Sequence, residues 1–367
     1  MKLEKQYSLG ESTAIFFNGE NEIVFRKGVW NYEEAVMDIS DLSETTQESL
    51  LDLFRDISEG GSVATDDLFS KYQIDGGEVD RILSLLDELS EQAYLSDGSE
   101  DKIKALITNL IGGTASTGLS GNIADFSNTL LICDSEPVTK QLAGMSDGIS
   151  MRMEVMDPED MRTLASTDVT QRLDALETEA AYQKLSPMFA GYSSVLVCLE
   201  RPHIRMLRNL NRVLLRLGIP FVVCLIDGPF LSVMTIKGYE TGCFECYERR
   251  VMARLESMSA YRSYVEKSSG NMRKSDNTSL APILGMMASL GLFEAFLINT
   301  IHKAKLAGRV FNIYLPLLEV QVQDLLRVPF CSACGQIAKA RYEEMYTSSE
   351  KIVEKLVESV EISADGE

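Results

Sequence analysis

Thr241-Gly-Cys-Phe-Glu-Cys-Tyr-Glu-Arg-Arg250 and Pro329-Phe-Cys-Ser-Ala-Cys-Gly335 carry two Cys-x-x-Cys pairs, Cys243/Cys246 and Cys331/Cys334. A two-residue spacer lets both thiolates of a pair reach one ion, and two such knuckles complete a closed tetrahedral Zn2+ site. Four protein ligands leave no position for water, so the expected cofactor is a structural Zn2+ with no catalytic role. Redox chemistry and unrelated buried thiols are the competing readings. The doubled spacing, with Gly335 directly after the second pair, favours zinc. Eighty-four residues separate Cys246 from Cys331. That is far longer than a compact zinc ribbon, so the ion is expected to pin two distant parts of one domain together.

The chain around these knuckles has 367 residues, 45% of them hydrophobic, which is enough for two or three domains with real cores. Met1-Lys-Leu-Glu-Lys-Gln6 has no apolar run behind it, so no signal peptide is expected. Of the seven cysteines, Cys133, Cys198 and Cys224 sit in apolar strand-like runs, as reduced buried thiols do, which points to the cytoplasm. Leu280–Ile301 has the length of a membrane span. It contains Glu294, Gly285 and Gly291 and lacks flanking belts, so it reads as a buried helix with no membrane partner. The net charge of −20 is uneven: residues 1–100 hold 7 Lys/Arg and 23 Asp/Glu (−16), and the rest hold 28 and 32 (−4). A segment at −16 repels phosphates, which argues against nucleic acid as its ligand.

Within the acidic segment, Thr13–Phe17 and Glu22–Phe25 are apolar runs around Asn18-Gly19, a hairpin signal. Val29–Ile39 alternates in part and reads as a third strand. Asp41 or Ser43 caps a helix with Leu50, Leu51, Leu53, Phe54 and Ile57 at its apolar positions, closed by Gly60-Gly61. Thr65–Tyr72 and Glu78–Leu89 read as second and third helices. Three strands followed by three helices predict a small winged-helix-like α+β domain over residues 1–98. The third helix sets Glu78, Asp80, Asp87 and Glu88 against Arg81, the wrong sign for tracking phosphates. The expected ligand is an extended peptide. It would pair with the third strand around Trp30, Tyr32, Glu34 and Val36, and pack on Val79, Ile82 and Leu83 of the third helix. The alternative is that Trp30 and Tyr32 only complete the local core.

Residues 99–125, including Gly112-Gly-Thr-Ala-Ser-Thr-Gly118, read as a linker. Over residues 126–347 strands alternate with helices. Asn128–Cys133, Val195–Leu199, Phe221–Ile226 and Leu231–Ile236 read as strands, and Arg205–Leu217 as a helix ended by Gly218 and Pro220. This predicts an α/β domain with a largely parallel sheet. Glu200-Arg-Pro-His-Ile-Arg205-Met-Leu-Arg-Asn209, Leu217-Gly-Ile-Pro-Phe221, Gly228 and Gly242-Cys-Phe-Glu-Cys246 resemble the second half of ThiF-type adenylating proteins, relatives of ubiquitin-activating enzymes. The resemblance implies a ThiF-like Rossmann-type domain in which both knuckles share one zinc.

The departures from that family are specific. Its first strand runs into a glycine-rich turn that holds ATP phosphates against a helix N-terminus. Here Leu130–Cys133 runs into Asp134-Ser-Glu-Pro-Val138, which has no glycine and two acids. The family's Asp is replaced by Glu200, and the family's acidic ribose-binding strand end with its downstream Arg is not evident after Met153–Met156. The ATP site therefore reads as degenerate, with no catalytic residue and no nucleotide cofactor expected.

A degenerate ThiF-like domain behind an acidic winged-helix-like domain is similar to the ThiF-like partner proteins of YcaO-type cyclodehydratases, which serve thiazole- and oxazole-modified peptide (RiPP and bacteriocin) biosynthesis. The resemblance implies that the N-terminal domain grips the leader of a ribosomally made precursor peptide. It implies that the zinc-binding domain docks the YcaO subunit, which uses ATP to cyclise Cys, Ser or Thr onto the preceding amide. An azoline dehydrogenase and a homodimer are compatible with this reading. An active ThiF-type adenylating enzyme acting on a peptide or small-protein C-terminus is the first alternative, and the missing glycine loop counts against it. A zinc-containing transcription regulator is the second, and the acidic third helix counts against that. A scaffold from a thiopeptide pathway stays open. Arg205, Arg208, Arg212 and Arg216, with Arg249, Arg250, Arg254 and Arg262, read as a solvated face or a contact for an acidic partner. Ser268–Asn277 reads as a mobile loop and 348–367 as a charged amphipathic tail.

Overall fold

A computed structural model describes residues 5–10, 13–19, 21–30, 32–72, 74, 77–92, 94–96, 128–149, 151–170, 175–267 and 280–335. The linker, the Ser268–Asn277 loop and the 348–367 tail read from the sequence lie outside the described residues. The chain divides into two compact units, Met1–Ile123 and Ala124–Glu367.

In the N-terminal unit, β1 (Gln6–Leu9) precedes a meander of β2 (Thr13–Asn18), β3 (Glu22–Lys27) and β4 (Glu33–Asp38). Gly19, at φ +73°, supplies the left-handed residue of the β2–β3 turn. The third strand begins at Glu33 rather than Val29. Gly28 turns the chain at φ +82°, and the Arg26 guanidinium donates to the Val29 carbonyl at 3.0 Å, which holds that stretch as a loop. Helices α1 (Glu44–Ser58), α2 (Asp67–Ser70) and α3 (Val79–Glu91) follow. The second helix is shorter than Thr65–Tyr72 because Asp67 accepts the Ala64 N–H at 2.9 Å as the chain leaves β5 (Ser62–Ala64). Strand β1 pairs with β5 and β6 (Leu95–Ser96) in a second small sheet that the sequence reading missed. Phe25 and Phe54 meet edge to face at 5.1 Å in a core shared with Ile23, Leu53, Ile82 and Leu86.

The second unit is built on one seven-stranded sheet. Its strands are β7 (Thr129–Cys133), β8 (Met153–Val155), β9 (Ser194–Leu199), β10 (Phe221–Asp227), β11 (Phe230–Ile236), β12 (Arg309–Tyr314) and β13 (Glu319–Asp324), in the order 13-12-11-10-9-7-8. The pairs β8/β7, β7/β9 and β9/β10 are parallel; β10/β11, β11/β12 and β12/β13 are antiparallel. The sheet is therefore mixed, which corrects the largely parallel expectation. Only Gly228 and Pro229 join β10 to β11, and a two-residue loop can close only an antiparallel hairpin.

Seven described helices flank this sheet: α4 (Glu136–Gly148), α5 (Pro158–Ser166), α6 (Ala175–Leu185), α7 (Ile204–Leu217), α8 (Phe244–Met252), α9 (Met258–Lys267) and α10 (Ala281–Ile301). Strand side chains alternate between two faces. One face, including Leu130, Val195, Val197, Val223 and Leu225, packs on α7. The other meets α10, which is long and apolar enough to cross a membrane by composition but here lies against β9, β10, β11 and α4. A Cβ on Gly291 would sit 2.6 Å from Cys224 Sγ and 3.0 Å from Leu196 Cδ1, so glycine is what lets α10 approach the sheet this closely. Glu294, the acid of this helix, is buried and accepts from Thr235 Oγ1 at 2.7 Å and from the Lys305 and Leu306 N–H groups.

Candidate functional site

Three places carry the chemistry anticipated from the sequence. The first is the cysteine cluster. Cys243 is the N-cap of α8, Cys246 lies in its first turn, and Cys331 and Cys334 lie on the segment after β13. All four are buried and reduced. Their sulfurs lie 3.7 Å apart (Cys243–Cys246), 3.6 Å (Cys243–Cys331) and 3.4 Å (Cys246–Cys334). Sulfurs bonded at about 2.3 Å to one tetrahedral ion stand about 3.8 Å apart, so this donor set fits Zn2+. The Val328 N–H donates to Cys246 Sγ at 3.3 Å. Gly335 donates to the Cys331 carbonyl, and a Cβ there would fall 2.5 Å from that oxygen.

Around the cluster, α7 and α8 are laced by ion pairs. Arg208 makes a bidentate pair with Glu248 (2.6 and 2.9 Å), to which Tyr261 also donates. Arg212 pairs with Glu245 at 2.7 and 3.0 Å, and Ser332, between the second pair of cysteines, donates to the same carboxylate. Arg216 pairs with Glu179 of α6, and Arg249 reaches Ser332 and the Phe330 carbonyl. Of the arginine rows read as a solvated face or a partner contact, Arg208, Arg212, Arg216, Arg249 and Arg250 thus find acidic, hydroxyl or carbonyl partners within the chain.

The second place is the junction of β7 and β9. The chain leaves these neighbouring parallel strands in opposite directions along the sheet, the switch point at which α/β sheets hold ligands. Here the Asp134 carboxylate fills the carboxyl end itself, accepting the N–H groups of Glu200 (2.8 Å) and Arg201 (3.0 Å). Burial pushes Asp134 up to about 6, against the pull of those two N–H groups, and the neighbouring Glu200 adds to the rise. Ser135 Oγ and Glu200 Oε2 are buried there without hydrogen-bond partners. The Glu200 and Arg201 N–H groups at this end of the sheet are thus taken by a carboxylate.

The third place is β4, which among the described residues pairs with β3 alone and leaves its other edge open. Ile39 N–H donates to Asn21, which continues the β3–β4 register. Hydrogen-bonded pairs alternate along an antiparallel ladder, so Ala35 and Met37 bond to β3 while the N–H groups of Glu34, Val36 and Asp38 face the open edge. Val36 is 58% exposed on the outer face of the sheet. Glu34 pairs with Arg26 at 3.5 Å, and that guanidinium lies 3.8 Å over the Tyr32 ring. Trp30, 91% exposed, belongs to the β3–β4 loop and not to the strand.

Helix α3 is tied to the rest of the unit near both of its ends. Near its start Glu78 accepts from Ser43 Oγ at 3.2 Å, and near its end the Gln92 carbonyl accepts from Lys27 Nζ at 2.6 Å. Val79 and Ile82 are buried in the core of the unit and present no surface to a peptide, a correction to their assignment. Leu83 is half-buried on the side of Asp87, which accepts from Tyr7 and Lys5 near β1. Leu85, also half-buried, is the apolar residue on the side of Glu78 and Gln92, seven residues from each.

No family model matches the chain, and no curated protein matches it. Solved structures do. A heterocyclase in complex with substrate and cofactor aligns with a TM-score of 0.57 at 13% identity over 90% of this chain and 39% of its own. The heterocyclase TruD aligns with a TM-score of 0.56 at 14% identity over 90% and 43%. The microcin C7 biosynthetic enzyme MccB in complex with N-formylated MccA aligns with a TM-score of 0.50 at 12% identity over 90% and 100%. The chain thus spans about two fifths of the length of the heterocyclases it matches. At these identities what is shared is the fold: a mixed α/β architecture of the kind found in the heterocyclases and MccB.

Proposed function

We propose that this chain is a zinc-stabilised, non-catalytic subunit of a RiPP-modifying complex. It binds the leader of a precursor peptide and presents the remainder to a YcaO-type, ATP-dependent cyclodehydratase. The observation that carries the reading is the open edge of β4, flanked by α3, within a unit whose charge favours neither DNA nor RNA. An added strand would gain main-chain bonds from the Glu34, Val36 and Asp38 N–H groups, and Leu85 and Val36 would contact its side chains. Likeness of fold to heterocyclases and to MccB supports a place in peptide modification. Asp134 at the switch point supports assigning ATP to the partner rather than to this chain. A bound zinc would supply fold stability alone, because four thiolates close the site to substrate.

Reconstitution tests this reading. A YcaO-type subunit with ATP should remove one water per ring from its precursor only when this chain is present. Ring formation that ignores the chain, or ATP hydrolysis by the chain alone, would refute it.

A further inference from the structure

The outer face of the three-stranded meander is made of three cross-strand rows, and each ends at the open edge of β4. Ala14, Arg26 and Glu34 form the first, Phe16, Val24 and Val36 the second, and Asn18, Glu22 and Asp38 the third. The first row is electrically closed, because Arg26 already pairs with Glu34. The second is an apolar stripe whose last side chain, Val36, is open to solvent. The third sets two carboxylates directly opposite each other, and like charges at opposed positions oppose pairing. Asn18 donates to Glu22 at 2.7 Å, and the Ser40 N–H donates to Asp38 at 2.9 Å, but among the described residues no cation pairs with either acid. The cations of β3 lie at its other end and are engaged there, Arg26 with Glu34 and Lys27 with the Gln92 carbonyl and the Tyr94 ring.

We infer that the peptide strand received by β4 carries an apolar residue opposite Val36 and a Lys or Arg opposite Asp38. The side-chain period of a strand is two, so these two residues stand two apart and on the same face. The apolar residue would extend the Phe16–Val24–Val36 stripe, and the cation would neutralise the Glu22–Asp38 pair. Val36 and Asp38 then determine which segments are accepted, while the edge N–H groups supply binding common to any extended chain. This inference rests on the β4 edge being the peptide site.

The test is selection of a phage-displayed library of random twelve-residue peptides on the full-length chain, with fluorescence polarisation of the enriched sequences. Enrichment of an apolar residue two positions from Lys or Arg is expected, with about five-fold weaker binding when that cation is replaced by Glu. Asp38→Lys should reverse the preference toward Asp or Glu at the same position. An unchanged preference on Asp38→Lys, or no charge preference on the natural chain, would overturn the inference. The edge itself is tested by Val36→Pro, and by Glu34→Pro should the first variant fail to fold. If neither proline weakens the selected peptides, or if the natural chain enriches nothing, the β4 site is wrong. If the prolines abolish binding while Asp38→Lys changes nothing, the edge stands and the charge rule falls.

Discussion

Asp134, at the carboxyl end of β7, works as a cross-strand clasp on the chain leaving β9. That an acid and no glycine follows Cys133 was legible in the sequence. Its partners were not, because they depend on which strands become neighbours. Burial lifts it from 3.8 to about 6, so ionisation is disfavoured in the fold; the cost is full above about pH 6 and relieved toward pH 4. Asp134→Asn removes that titration. Its stability relative to the natural chain should rise by up to about 3 kcal/mol between pH 4 and pH 7.5. Denaturant melts at the two pH values check this, and a difference independent of pH would refute it. Gly291 offers a second test at the same scale. Cys133, Cys198 and Cys224 lie side by side across β7, β9 and β10. Because the Cys224 sulfur meets α10 at Gly291, Gly291→Ala should cost about 1–3 kcal/mol in denaturant melts. Adding Cys224→Ala should recover part of the loss if the clash with sulfur is its source.

At the scale of elements, the zinc knuckles and the ion pairs act on the same helix. Cys243 and Cys246 open α8, and Glu245 and Glu248 on that helix bind Arg212 and Arg208 of α7. Glu245 is buried, so Arg212→Ala leaves its carboxylate without a counter-ion, with the Ser332 hydroxyl still donating to it, and should cost about 3 kcal/mol. Replacing Arg212 and Glu245 together by methionine should cost much less, and equal losses in chemical denaturation would contradict the account. The knuckle spacing predicted which cysteines converge, because four thiols at two paired spacings have few other arrangements. The sequence was less informative about the antiparallel half of the sheet. Strands β12 and β13 were missed: in β12 Val310 and Ile313 are the buried residues, three apart and off the two-residue period, and in β13 Val320 and Val322 alternate with polar residues over six exposed positions. The β10–β11 hairpin was readable from its two-residue loop, yet the apolar runs alone resembled buried parallel strands. On α3, Val79 and Ile82 follow the helical period of the core, and periodicity alone does not separate a core stripe from a binding face.

Across the whole molecule, the two units have separate cores, and the cysteine cluster lies only in the second. Loss of a structural zinc should therefore unfold one unit before the other. Metal analysis should find about one zinc per chain, and Cys331→Ser should abolish it. Chelation at neutral pH should then release amide protection in Phe244–Met252 and in the segment from β12 through Gly335, where backbone and side chains hold the knuckles together. Leu50, Leu53 and Phe54 of α1 and Ile82 and Leu86 of α3 share a core with Ile23 and Phe25 of β3 that contains no zinc ligand, so Glu44–Ser58 and Val79–Glu91 should keep their protection. Hydrogen exchange read by mass spectrometry separates the two regions within one experiment. Thermal unfolding should likewise change from one dominant transition to two as zinc is removed, since two-state behaviour fails when a metal holds only one of two cores. Simultaneous loss of protection in both units would mean that their stabilities are coupled through contacts other than the zinc site, and the two-core account would fall with it.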